Sequence, residues 1–262
     1  MSKERLVVKV GTSSLSFPNG KMNFTRLERL AMVLSDLQSD GKEIILVSSG
    51  AVGVGAGRLK MHEPPTSLIA RQALAAIGQA ELIRIYQKFF EGYNQMVAQV
   101  LLTRDGLEDD NRRQNAMNTV NELLRMKIIP IINENDTVST AEIQFGDNDN
   151  LSAKVAIMME ADLLIILSDV NGLYSGDPHR DPSATRISVV GEDNHDIDHY
   201  IRDSSSAFGT GGMTTKIQAA RLCMSNGVDT CIVNGQDPKN ILRIMCGQDI
   251  GTLFVSRKKP ED

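Results

Sequence analysis

Residues 209–216 read GTGGMTTK, three glycines and a closing lysine at the point where an apolar helical pattern begins. Met213, Ile217, Ala220 and Met224 follow one another at i, i+4, i+7 and i+11, a single buried helical stripe. Thr214 or Thr215 is placed to cap its start. Lys216 then falls in the first helical turn, where the helix dipole already presents positive charge and a further cation is disfavoured by ~0.3–1 kcal/mol. A bound phosphate reverses that sign, because backbone donors and the ammonium then act together. The glycines let the backbone come close to the anion. The stretch is not a Walker loop, since Lys216 stands between Thr215 and Ile217 without the G-K-[ST] core. The plainer alternative is an exposed lysine after a turn.

A second lysine interrupts an apolar run. Lys9 lies in LVVKV (6–10), and Gly11 follows two residues later. An ammonium inside a strand covered on both faces is costly to desolvate. Lys9 therefore needs a partner, or points into a crevice from the strand end, or snorkels from an edge strand. VSSGAVGVGAG (47–57) carries glycines at 50, 53, 55 and 57 out of register with the dinucleotide fingerprint. It offers backbone N–H groups to an anion or, more plainly, tight helix–sheet packing. GDNDN (146–150) stands before a helical face bearing Leu151, Val155 and Met158. One Asn or Asp there is an expected N-cap, but four in succession exceed that need. A calcium loop fails, because Leu151 takes its fifth position and no glycine follows. The surplus carboxylates and amides are suited to holding lysine side chains or a substrate ammonium. In NENDTV (133–138), Asp136 can be a ligand group or an Asx turn. EDNHDIDH (192–199) has two histidines four apart but no third well-placed ligand, and reads as solvated surface rather than a metal site.

These segments need elements to position them. Apolar runs at 6–10, 43–48, 96–102, 128–132, 163–167, 230–234 and 252–255 read as strands. Helical stretches at roughly 25–40, 66–92, 109–127, 150–160, 213–226 and 238–246 alternate with them. Strands that are apolar almost throughout belong to a parallel sheet covered on both faces, so the pattern predicts an α/β three-layer αβα sandwich. Ligands in such sheets collect beyond the carboxyl ends of the strands, where the unusual segments fall. SFPNGKMN (16–23) and STAEIQFGDND (139–149) read as hairpins, and 176–208 as irregular polar surface.

The 262 residues suit one large α/β domain or two small ones. A net charge of −5 gives no broad basic field, which argues against nucleic acid as a partner. No apolar run approaches the length of a membrane span, and MSKERLVVKVG lacks the apolar stretch of a secretory signal. Cys223, Cys231 and Cys246 show neither framework nor metal spacing, which predicts buried thiols in a reducing cytoplasm.

In order along the chain, VVKVGTSSL (7–15), VSSGAVGVG (47–55), IIPIINENDTV (129–138), EIQFGDNDNLSA (142–153), LSDVNGLYSGDP (167–178) and GTGGMTTKIQAA (209–220) resemble the amino-acid kinase family, in its glutamate-phosphorylating branch. The resemblance spans nearly the whole chain. It implies transfer of the γ-phosphoryl of ATP to the side-chain carboxylate of L-glutamate, the first step towards proline. Lys9 and Lys216 match the lysines that embrace the moving phosphoryl, and Asp149 the acid that holds them. Ser49, Gly50, Asn133, Asp136 and Asn148 fall at glutamate-binding positions. Lys9, Gly11, Ser168, Asp169, Thr210, Gly211, Gly212, Met213, Thr214, Thr215 and Lys216 fall at ATP-binding positions, with GLYSGDP near the adenine. Mg²⁺ is implied, held mainly through the nucleotide phosphates rather than by a dedicated protein site. Feedback binding of proline and a homodimer or homotetramer are further expectations. Many members of the branch carry a C-terminal PUA-type domain; here a single kinase domain over 1–262 is expected, without it. Acetylglutamate, aspartate and uridylate kinases are the rival readings on this fold, and a non-catalytic nucleotide sensor is another.

Overall fold

Successive side chains of a strand point to opposite faces of its sheet. In β1 (Arg5–Val10), Leu6, Val8 and Val10 enter one apolar layer, while Val7 enters the other. A computed structural model of the chain describes residues 4–17, 21–61, 65–139, 148–176, 181, 183–191 and 212–256. The further strands are β2 (Glu43–Ser48), β3 (Val97–Leu102), β4 (Ile129–Glu134), β5 (Leu163–Ser168), β6 (Val189–Gly191), β7 (Asp229–Asn234) and β8 (Thr252–Val255). They form one eight-stranded sheet in the order β3-β4-β2-β1-β5-β7-β8-β6. Neighbours pair in parallel except β7 with β8. Register places Lys9 of the central strand β1 opposite Val47 of β2 and Ile166 of β5.

Helices cover both faces. On one lie α1 (Thr12–Leu15), α2 (Phe24–Ser39), α3 (Ala51–Arg58), α4 (Leu68–Glu91) and α9 (Asn240–Met245); on the other lie α5 (Arg104–Glu108), α6 (Asp110–Arg125), α7 (Asp149–Met158) and α8 (Met213–Met224). The predicted αβα sandwich with a mainly parallel sheet is thus the observed architecture. Local chemistry sets the helix starts. Asn23 accepts from the Arg26 N–H at 3.1 Å, and Leu27, Leu30, Ala31 and Leu34 then recur at core-facing spacing. Asp109 caps α6 through the Arg112 N–H at 2.9 Å.

Several expectations need correction. Residues 51–58 are helical, and one of their glycines, Gly55, serves helix–helix rather than helix–sheet packing: a Cβ there would overlap the Leu74 carbonyl of α4, as one on Gly78 of α4 would overlap the Ala51 carbonyl. Asn133 and Glu134, read as loop, complete β4. The expected 109–127 helix is preceded by a separate short one, α5, capped by Thr103. A three-residue strand, β6, lies within the segment read as irregular. Cys223 and Cys231 are buried, but Cys246 is exposed just past α9. Ser16 and Met22 form an antiparallel bridge where the first hairpin was expected. The second hairpin, apart from residues 139, 148 and 149, and the acidic histidine stretch lie outside the described residues. No helix among the described residues is long and apolar enough to cross a membrane.

Candidate active site

Four adjacent strands, β4, β2, β1 and β5, end on one edge of the sheet, and the predicted residues gather there. Lys9 is the second-last residue of β1, and its side chain faces the α7/α8 layer with Val7. Asp149 opens α7, where the dipole favours a negative charge. Lys216 lies in the first turn of α8. The three meet: Lys9 Nζ stands 2.6 Å from Asp149 Oδ1, and Lys216 Nζ 3.1 Å from Asp149 Oδ2. Thr215 Oγ1 is 2.9 Å from Asp149 Oδ2 and also 2.9 Å from the Gly212 carbonyl, so its single proton serves one or the other. Asp149 is fully buried, and Lys9 and Lys216 are 5% and 8% exposed. This decides between the readings of Lys9: it is neither an edge lysine nor a snorkelling one. Nor is Lys216 a solvated lysine after a turn.

The trio carries one net positive charge in a nearly dry setting. Among the described residues the two ammonium groups share this one carboxylate, and α8 begins beside it. The N-cap of α8 is Gly212, with no side-chain cap. The threonines expected to cap it do not: Thr215 instead turns back to Gly212 and Asp149. Helix N–H groups without a side-chain cap, beside two ammonium groups, are a setting that suits an anion. Gly11 follows β1, and a Cβ there would stand 3.4 Å from Lys9 Nζ. Met213 and Thr214 lie in the same first turn as Lys216. Ser168 closes β5, buried, with its hydroxyl 3.2 Å from the exposed Asp169 carboxylate. Thr210 and Gly211 lie outside the described residues.

A second cluster adjoins it at the ends of β2 and β4. Asn148 is the N-cap of α7 by position, yet its side chain makes no cap. Its Nδ2 donates to the Ser48 carbonyl at 2.7 Å and to Asn133 Oδ1 at 2.8 Å, tying the two strand ends together. Its Oδ1 is buried without a partner among the described residues. Asn133 donates in turn to Gln79 Oε1 on α4 at 2.7 Å. Ser49 is buried, and Gly50 adopts φ 102°, which favours glycine at the entry to α3. Asp136 is buried, and its Oδ1 also lacks a partner among the described residues. Burial pushes its carboxyl up to about 7; the nearby Glu134 charge adds to the rise and the Arg71 charge opposes it. Unpartnered buried polar atoms are expensive, and a carboxylate and an amide oxygen are each of a kind that suits an ammonium. Gln79 and Glu134 were not foreseen as parts of this site. Gln79 is one polar residue in a long amphipathic helix, and only the folded contact distinguishes it.

Two lysines on one buried carboxylate, and buried oxygens of Asn148 and Asp136 without partners among the described residues, stand towards the carboxyl edge of a mainly parallel αβα sheet. Residues 4–234 match the amino acid kinase family. The chain is 48% identical to a glutamate 5-kinase of Clostridium perfringens, covering 97% of this chain and 96% of that one. It is 50% identical to a glutamate 5-kinase of Listeria monocytogenes, covering 98% and 95%. The chain belongs to the amino acid kinase family, in its glutamate 5-kinase branch. Among solved structures, carbamate kinase from Giardia lamblia bound to AMP-PNP superposes with a TM-score of 0.70 at 14% identity, covering 98% of this chain and 99% of that one. UMP kinase from Ureaplasma parvum does so with a TM-score of 0.67 at 16% identity, covering 98% and 100%. At these identities they speak to the fold alone.

Proposed function

We propose that this chain transfers the γ-phosphoryl group of ATP to the side-chain carboxylate of L-glutamate, giving L-glutamyl 5-phosphate. The observation that carries the reading is the Lys9–Asp149–Lys216 trio, with the buried oxygens of Asn148 and Asp136 left without partners among the described residues. Family membership supports it.

The acceptor carboxylate is an anion at neutral pH, so no base is required. One of its oxygens forms a bond to the γ-phosphorus, the bond from that phosphorus to the β,γ-bridging oxygen breaks, and ADP leaves with the electron pair. Alignment and charge neutralisation are then the protein's whole task. Lys9 and Lys216 approach the equatorial oxygens, and Asp149 fixes their separation. Asp136 and Asn148 orient the acceptor by its α-ammonium, with Ser49, Gly50 and Asn133 framing the same end. Gly11, Ser168, Asp169 and the start of α8 receive the nucleotide. The donors at the cradle are ammonium, hydroxyl and backbone N–H, which suit phosphate oxygens rather than a cation. Mg²⁺ would be held mainly through the nucleotide's own phosphates, where it would offset charge. A single sheet carries all the described strands, which supports one catalytic domain.

The test is ATP turnover with hydroxylamine present, across L-glutamate, N-acetyl-L-glutamate, L-aspartate and UMP. Hydroxamate formed with L-glutamate in step with ADP release is the expected result. Turnover only with another acceptor would assign a different kinase on this fold. ATP binding without turnover on any acceptor would favour a nucleotide sensor.

A further inference from the structure

L-Glutamate carries three charges, and the site so far accounts for two: the γ-carboxylate at the lysine cradle and the α-ammonium at Asp136. The α-carboxylate shares its carbon with the ammonium, so whatever receives it stands within a few ångströms of Asp136. Helix α4 runs beside that point. Gln72 Nε2 donates to the Thr137 carbonyl at 3.4 Å, and Gln79, two turns on, receives the Asn133 amide at 2.7 Å. The helix is thereby held against the 133–137 segment at two places. Arg71, in the first turn of α4, is half-buried, and its guanidinium makes no hydrogen bond or ion pair among the described residues. Its charge is close enough to Asp136 to oppose the rise in that carboxyl's pKa. Arg104 also meets this segment, through its backbone N–H to Glu134 at 3.2 Å. Its side chain, however, turns outward to Glu108 at 3.5 Å. A half-buried, uncommitted guanidinium is a fork matched to a carboxylate.

Resting on the reading of Asp136 as the ammonium acceptor, we propose that Arg71 is a specificity-determining residue that takes the α-carboxylate of L-glutamate. Acceptors that lack this carboxylate are then rejected at α4, while Asp136 reads the amine.

The experiment compares L-glutamate with 4-aminobutyrate, which differs only in lacking the α-carboxylate. Each is measured as substrate, or as competitive inhibitor against glutamate where turnover is too slow. Arg71→Gln is expected to weaken L-glutamate roughly 10- to 100-fold, while leaving 4-aminobutyrate and the KM for ATP unchanged, so that the preference for glutamate collapses. Arg71→Lys restores part of it. Asp136→Asn, run in parallel, weakens both acceptors alike, because both carry the amine. An equal loss for both acceptors in Arg71→Gln, or no loss for glutamate, overturns the assignment of Arg71 while glutamate turnover by the native chain stands. Absence of glutamate turnover in the native chain overturns the functional reading and the inference with it. Sparing of both acceptors by Asp136→Asn removes the ammonium site on which Arg71 depends.

Discussion

Lys9 and Lys216, drawn from a central strand and from the first turn of a helix far along the chain, reach different oxygens of the same carboxylate, 2.6 Å and 3.1 Å from Asp149. The arrangement makes the three residues unequal. Among the described residues each lysine meets one oxygen of Asp149, whereas Asp149 meets both lysines, so removing its charge takes a partner from two buried ammonium groups at once. Breaking a buried ion pair in that way typically costs ~3–5 kcal/mol. Asp149→Asn should therefore lower stability in urea unfolding by about that amount. Lys216→Ala should lose roughly 1 kcal/mol, mostly packing of its stem. The reverse order would mean that Asp149 is not the hub.

Asp136 gives a pH signature. Its folded carboxyl titrates at about 7 against an ordinary value of 3.8. Between those values the folded state binds more protons than the unfolded one, so this group makes stability fall as pH rises from about 4 to 7 and contributes no further change above. The ligand-free protein should lose stability across that window, and Asp136→Asn should flatten the profile. Glutamate binding needs the ionised form, so its KM should rise as pH falls below about 7, with the KM for ATP unaffected. In Asp136→Asn the glutamate KM should be high throughout and lose this dependence. A glutamate KM that is flat with pH in the native chain would place the ammonium elsewhere.

Gly78 tests the packing beneath the acceptor cluster. A side chain there would meet the Ala51 carbonyl, in the first turn of α3, next to Ser49 and Gly50. The obstacle is backbone, which cannot rotate aside. Gly78→Ala should lower stability by ~1–3 kcal/mol and raise the KM for glutamate more than that for ATP, as read by thermal unfolding and steady-state kinetics. Unchanged values for both would mean that α3 does not position the acceptor end.

The parts of this molecule that were legible in the sequence are those with a strong local signal. Long apolar runs such as 43–48 and 163–167 marked strands, and the misplaced charges of Lys9 and Lys216 marked the cradle, because a lysine in an apolar strand or at a helix N-terminus is unfavourable without a partner. What was hidden depended on contacts distant in sequence. Helix α3 escaped because AVGVGAGR has poor helix propensity, and its Gly55 makes sense only against Leu74 and Gly78 of α4. Asn148 was legible as an N-cap, but its amide goes to Ser48 and Asn133 instead. Arg71 carried no signal: one arginine in an amphipathic helix is ordinary until the fold sets it beside Asp136.

The central claim is that both lysines act on the phosphoryl group in transit, and the most direct measurement is kcat of Lys216→Ala at saturating ATP and glutamate. Loss of a single transition-state donor typically costs ~2.7–4 kcal/mol, roughly 10²–10³ in rate. The account predicts a fall of that order in a variant that remains folded and still binds ATP. A folded variant turning over at close to the native rate would contradict it.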